Sequence, residues 1–110
     1  VISNIQRARG GQWYRVSLDR PASISEIQLY VLNSRLRIVD ARVYTVRGQA
    51  LTVYDLTGNL VNRDSRGTRN LPMDRIQGLD LLLEVTGPTA DLQVMMTSQD
   101  GPISLWSQRF

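Results

Sequence analysis

Residues 34–48 read SRLRIVDARVYTVRG (Ser34–Gly48), a strand-like run of Leu, Ile, Val and Tyr punctuated by four arginines. As one regular strand, its two faces make no sense. One face would carry Leu36, Ile38, Asp40, Arg42, Tyr44 and Val46, apolar early and polar late. The other would carry Arg35, Arg37, Val39, Ala41, Val43, Thr45 and Arg47, which reverses that order. A strand with one buried face keeps that face apolar throughout. One extra residue at Val39-Asp40 repairs both faces. A β-bulge there puts Leu36, Ile38, Ala41, Val43 and Thr45 on the core side. The outer side then reads Arg35, Arg37, Asp40, Arg42, Tyr44 and Val46. The stretch predicts a bulged strand, buried on one side and solvated on the other.

The same period of two extends in both directions. Upstream, residues 24–32 alternate, with Ile27, Leu29 and Val31 on one face, and Asn33-Ser34 forms a tight turn. Residues 12–18 place Tyr14, Val16 and Leu18 opposite Trp13, Arg15 and Ser17, and Arg20-Pro21 ends that strand. Downstream, Arg47-Gly48-Gln49 closes a hairpin into a strand over 49–55, where Leu51 and Val53 share a face. Residues 57–68 are a polar loop with room for a short strand, and 69–72 form a brief edge strand stopped by Pro72. Residues 75–86 make a long apolar strand whose phase shifts at Gly78, the place for a second bulge. Residues 91–98 add a strand through Leu92, Val94 and Met96, and the tail 103–110 offers an eighth.

Seven or eight strands about ten residues apart, with no helical periodicity, predict an all-β fold. We expect a single antiparallel β-sandwich, jelly-roll or immunoglobulin-like, with a small barrel as the alternative. The 110 residues make one domain, 1–110, large enough to bury a core without metal or disulfide staples. No apolar run is long enough to span a membrane.

The chain has no Cys, no His and no Lys. That excludes a thiol nucleophile, a zinc site built on Cys or His, a histidine base, a Walker-type phosphate loop and Schiff-base chemistry. All 13 basic residues are arginine, through codon bias or through selection for a planar, forked donor. Charge is uneven along the chain. Residues 1–50 hold eight arginines against Asp19, Glu26 and Asp40, whereas residues 51–110 hold five against seven acids. A basic field is therefore expected from the first half.

The predicted outer row of Arg35, Arg37, Arg42 and Tyr44 has three readings. It is an anion-binding face, Tyr44 stacking on a base or sugar, a solvated strand whose arginines meet acids on neighbouring strands, or a protein interface. Arg63, Arg66 and Arg69, with Ser65, Gly67 and Thr68 between, make a second candidate cradle for phosphate or carboxylate, diluted by Asp64. Trp13, sharing a face with Arg15, is a candidate stacking or partner-binding ring, or a cover for the sandwich edge. Trp106 has the same two readings, and with Phe110 it would make the tail a contact surface.

No catalytic residue is proposed. Asp80 and Glu84 are same-side but about 13 Å apart by strand rise, too far for paired carboxylates in glycoside chemistry. No Gly-x-Ser-x-Gly elbow and no calcium-loop spacing occurs. We expect no enzyme activity and no cofactor. The partner is an unidentified protein or an anionic ligand (nucleic acid or acidic polysaccharide), and pairing of edge strands into a dimer is open.

Between residues 10 and 98 the motifs come in a recurrent order. Gly11 and Trp13 precede the first strand, Ile27-x-Leu29-x-Val31 follows, and Tyr44 leads to Gly48. Ser65-Arg66 lies in the polar stretch, and the long apolar strand begins at Arg75. This order resembles a group of small exported bacterial β-sandwich proteins of unknown function. Arg69-Asn70-Leu71 departs from that group's R-x-I element by placing Leu where Ile is usual. The resemblance implies a sandwich fold and a periplasmic or secreted location, and no activity. The start at Val1 agrees with removal of a signal peptide or with a trimmed chain. The expected role is a non-enzymatic module, structural or interacting, in a bacterial envelope.

Overall fold

The computed structural model describes residues 1–85 and 87–109. The chain is all-β. Its strands are β1 (Ile2–Ile5), β2 (Gln12–Ala22), β3 (Ile24–Asn33), β4 (Leu36–Thr45), β5 (Ala50–Thr52), β6 (Gly58–Leu60), β7 (Ser65–Thr68), β8 (Ile76–Val85), β9 (Ala90–Ser98) and β10 (Leu105–Arg109). They form two open antiparallel sheets packed face to face. One has four strands in the order β1-β9-β3-β7. The other has six: β10-β2-β8-β4-β5, with β6 pairing further along β4. The sandwich is as expected, and the barrel alternative falls because neither sheet closes.

The core lies between the sheets. Ile27, Leu29 and Val31 of β3 in one sheet and Leu79, Leu81 and Leu83 of β8 in the other belong to this core, all fully buried. Each such side chain contributes about 1.5–3 kcal/mol by leaving water. The bulge in β4 lies where the two faces required it. Ile38 stands opposite Leu83 and Asp40 opposite Leu82, so Val39 is the extra residue. A second bulge sits beside Gly78: Tyr44 faces Gly78 and Thr45 faces Ile76, leaving Gln77 unmatched. The hairpin after β4 closes through Gly48 N–H to the Thr45 carbonyl at 3.0 Å, with Gly48 at φ 83°.

Several local expectations are corrected. The strand from Gln12 runs past Pro21 to Ala22, because the ladder to β8 is interrupted between Ser17 and Ala22, where a residue lacking N–H costs nothing. The strand over 49–55 stops at Thr52; Val53 turns into the core and Tyr54–Leu56 form a 3-10 turn that buries Leu56. The loop over 57–68 contains two strands, β6 and β7. The edge strand expected at 69–72 lies instead at Ser65–Thr68, since the Asn70 N–H turns back to the Thr68 hydroxyl at 3.0 Å. Strand β1 was not anticipated. Two outward residues separate Ile2 from Ile5, and Asn4 sits at φ 54°, so no alternation marks it. Ten strands thus replace seven or eight among the described residues. The last residue of the predicted strand 75–86 and the Phe110 part of the tail reading lie outside them.

Candidate functional site

The six-stranded sheet has one face in the core and one outside. Its outer face is organised by three neighbouring strands, β2, β8 and β4, in direct register. Arg15, Asp80 and Arg42 stand opposite one another in a single row across them. The next row toward the ends of β2 and β4 is Ser17, Gly78 and Tyr44, and the row on the other side is Trp13, Leu82 and Asp40.

Asp80 points outward yet is only 2% exposed, flanked by Arg15 on β2 and Arg42 on β4. Arg15 grips it with both arms of its fork: Nε to Oδ1 at 2.9 Å and Nη2 to Oδ2 at 3.1 Å. This is the bidentate geometry that makes Arg–carboxylate pairs strong. Donating to Asp80 raises the Arg15 pKa above its already high ordinary value, with desolvation opposing. Arg42 turns to its own strand and binds Asp40, Nη2 to Oδ2 at 2.9 Å. Each guanidinium then lies on a diagonal ring. Arg15 Cζ is 4.9 Å from the Tyr44 ring centre, and Arg42 Cζ is 5.0 Å from that of Trp13. Such cation–π contacts stabilise by about 0.5–2 kcal/mol each.

Gly78 sits close against the backbone of β2. A Cβ there would meet the Val16 carbonyl oxygen at 3.0 Å. Without one, a hollow of about 270 Å3 opens between Arg15, Ser17 and Tyr44. Trp106 stands opposite Ser17 on β10, 53% exposed, so it extends the same row.

The structure brings Trp13, Arg42 and Tyr44 of the predicted residues together, and places Arg37 on the same face, 3.8 Å from Glu84. It does not bring in Arg35, which is exposed at the end of the sandwich before β4 begins. Nor does it assemble a cradle from Arg63, Arg66 and Arg69. Arg63 sits in a turn at φ 70°. Arg66 leaves β7 to lie over Gly58 of the other sheet, its Nη2 2.8 Å from where a Cβ of Gly58 would be. Arg69 pairs with Glu26 at 2.8 Å, and that hydrogen bond raises its pKa. Arg15 and Asp80, the centre of the face, were not singled out as binding residues by sequence. The local signal is an acid at outward parity within the leucine run 79–83; its partners lie 65 residues upstream and on another strand. Among the described residues no three His, Cys, Asp or Glu side chains come together as a metal site.

No family model and no curated protein matches the chain. Among solved structures it is similar to the Anabaena sensory rhodopsin transducer, at 9% identity and a TM-score of 0.43, over 87% of this chain and 93% of that one. It is likewise similar to Thermotoga maritima 1070, at 9% identity and a TM-score of 0.44, over 93% and 94%. Neither likeness bears on what the chain does.

Proposed function

We propose that the chain is a non-enzymatic interaction module that meets a folded protein partner with the outer face of its six-stranded sheet. The carrying observation is the pair of crossed stacks, Arg42 on Trp13 and Arg15 on Tyr44, around a buried Asp80. Trp, Tyr and Arg are the residues that dominate protein interfaces, and here they are held in place before any partner arrives. Three arginines on this face answer three acids: Arg15 with Asp80, Arg42 with Asp40, Arg37 with Glu84. A face neutralised within itself does not attract polyanions, which argues against reading its arginines as a phosphate ladder. Its hollow of about 270 Å3 is below the about 300–1,000 Å3 of small-molecule sites, so a broad, shallow contact fits better than an enclosed ligand. An exported, envelope-associated setting completes this reading and rests on the motif resemblance alone.

The test is site-specific photocrosslinking in the native cell, from Ser17 on this face and from Gln93 on the outer face of the other sheet. A discrete protein adduct is expected from position 17, lost when Trp13 and Tyr44 are changed to Ala. No adduct from position 17, or the same adduct from position 93, would overturn the assignment.

A further inference from the structure

Antiparallel strands gather the loops at two ends, and the ends differ in charge. At the end formed by residues 6–11, 33–35, 61–64 and 87–89, Arg7, Arg9, Arg35, Arg37 and Arg63 face Asp64, Glu84 and Asp91. That excess of two accounts for most of the chain's net charge of +3. At the other end Arg20, Arg47, Arg69 and Arg75 are balanced by Asp19, Glu26, Asp74 and Asp100. The acids of the basic end are also occupied. Asp91 accepts from the Asn4 N–H at 2.8 Å and from Asn33 Nδ2 at 3.1 Å, and Asp64 accepts from the Val61 N–H at 3.1 Å.

Three shallow hollows adjoin across this end. One of about 490 Å3 lies between Arg7 and the 87–89 loop, and one of about 720 Å3 between that loop and Arg35. A third, of about 210 Å3, runs from Arg35 to Arg37 and Asn59. Arg7 is oriented by donation from Nε to the Gly87 carbonyl at 3.0 Å. Arg35 is exposed and has no side-chain partner among the described residues. Gln6, Asn59 and Thr89 border the same hollows, exposed, with side chains that make no hydrogen bond within the described chain.

We propose that this end binds an acidic polysaccharide, its carboxylates seated on Arg7 and Arg35 and its hydroxyls on Gln6, Asn59 and Thr89. The forked guanidinium matches a carboxylate, and neutral amides and hydroxyls match sugar hydroxyls. Single-stranded nucleic acid fits less well, because binding it relies on aromatic stacking and these loops contain no aromatic residue.

The experiment titrates the intact chain with polygalacturonate, with neutral dextran and with a twenty-residue oligothymidylate. Polygalacturonate is expected to bind, to weaken as salt rises, and to lose about tenfold in affinity on Arg35→Gln. Dextran is expected not to bind. Arg35 has no side-chain partner among the described residues, so R35Q should melt as the parent does. Arg47→Gln, at the balanced end beside Asp74, should bind as the parent does. Absence of polygalacturonate binding at low salt would overturn the proposal, as would tighter binding of the oligothymidylate. Equal losses in R35Q and R47Q would reduce the effect to net charge and overturn the site.

Discussion

Asp80 is a carboxylate inside a run of leucines, and its neighbours decide whether it can stay there. Burying a lone carboxylate is costly; burying one gripped by a bidentate guanidinium is tolerable. Removing the acid leaves Arg15 and Arg42 flanking an empty place, with Asp40 alone to answer both. Breaking a fully buried pair costs about 3–5 kcal/mol. The Arg15 side chain is 41% exposed and can turn to water, so the loss should be smaller. Asp80→Ala is expected to destabilise by about 1–3 kcal/mol in urea denaturation. It should also unseat Arg15 from Tyr44, opening the hollow over Gly78. Unchanged stability would mean that the pair is only a surface ion pair. That result would remove the preordering on which the interaction reading depends.

At the scale of elements, β4 shows what local pattern can and cannot reveal. Its bulge was legible because the evidence for it is internal: Leu36 and Ile38 fall out of phase with Ala41 and Val43, and one extra residue restores them. The phase break at Gly78 was legible for the same reason. The crossed stacks were not, because they require knowing that β8 lies between β2 and β4, a pairing that no nearby residue encodes. The bulge makes a sharp prediction. Deleting Val39 leaves Leu36, Ile38, Ala41, Val43 and Thr45 in strict alternation, so the strand becomes regular with every face kept. That variant should still unfold cooperatively, within about 0.5–3 kcal/mol of the parent. Deleting Arg42 drives Val43 outward and Tyr44 inward, and should abolish the cooperative transition. Circular dichroism during thermal melting distinguishes the two. Equal damage from both deletions would show that the bulge is needed for its twist rather than for phase alone.

At the scale of the whole molecule, the sandwich has one closed side and one open side. The closed side is latched by Leu56 of the 3-10 turn, by the Thr68 hydroxyl donating to Asp55 at 2.9 Å, and by Arg66 lying across to Gly58. The same interleaving explains why the charge asymmetry of the sequence did not become a basic face. Strand β8, from the acidic half, brings Asp80 and Glu84 between the arginines of the basic half, leaving the surplus at one end. The open side is bordered by β1 and β10. Each pairs with a single neighbour among the described residues, and a hollow of about 250 Å3 between Val1, Ile2, Leu105 and Trp106 separates them. Strand β8, by contrast, is paired on both sides, with Leu79, Leu81 and Leu83 fully buried. Local opening starts where strands have one partner and little buried area. Amide hydrogen exchange should therefore be fastest in β1 and β10 and slowest in β8, on the order of a hundredfold or more apart. Exchange in β10 as slow as in β8 would mean that the open side is covered in solution. A covered β10 edge would place a second strand beside Trp106, at the margin of the face proposed for the partner, and the dimer left open by the sequence would become the first occupant to test.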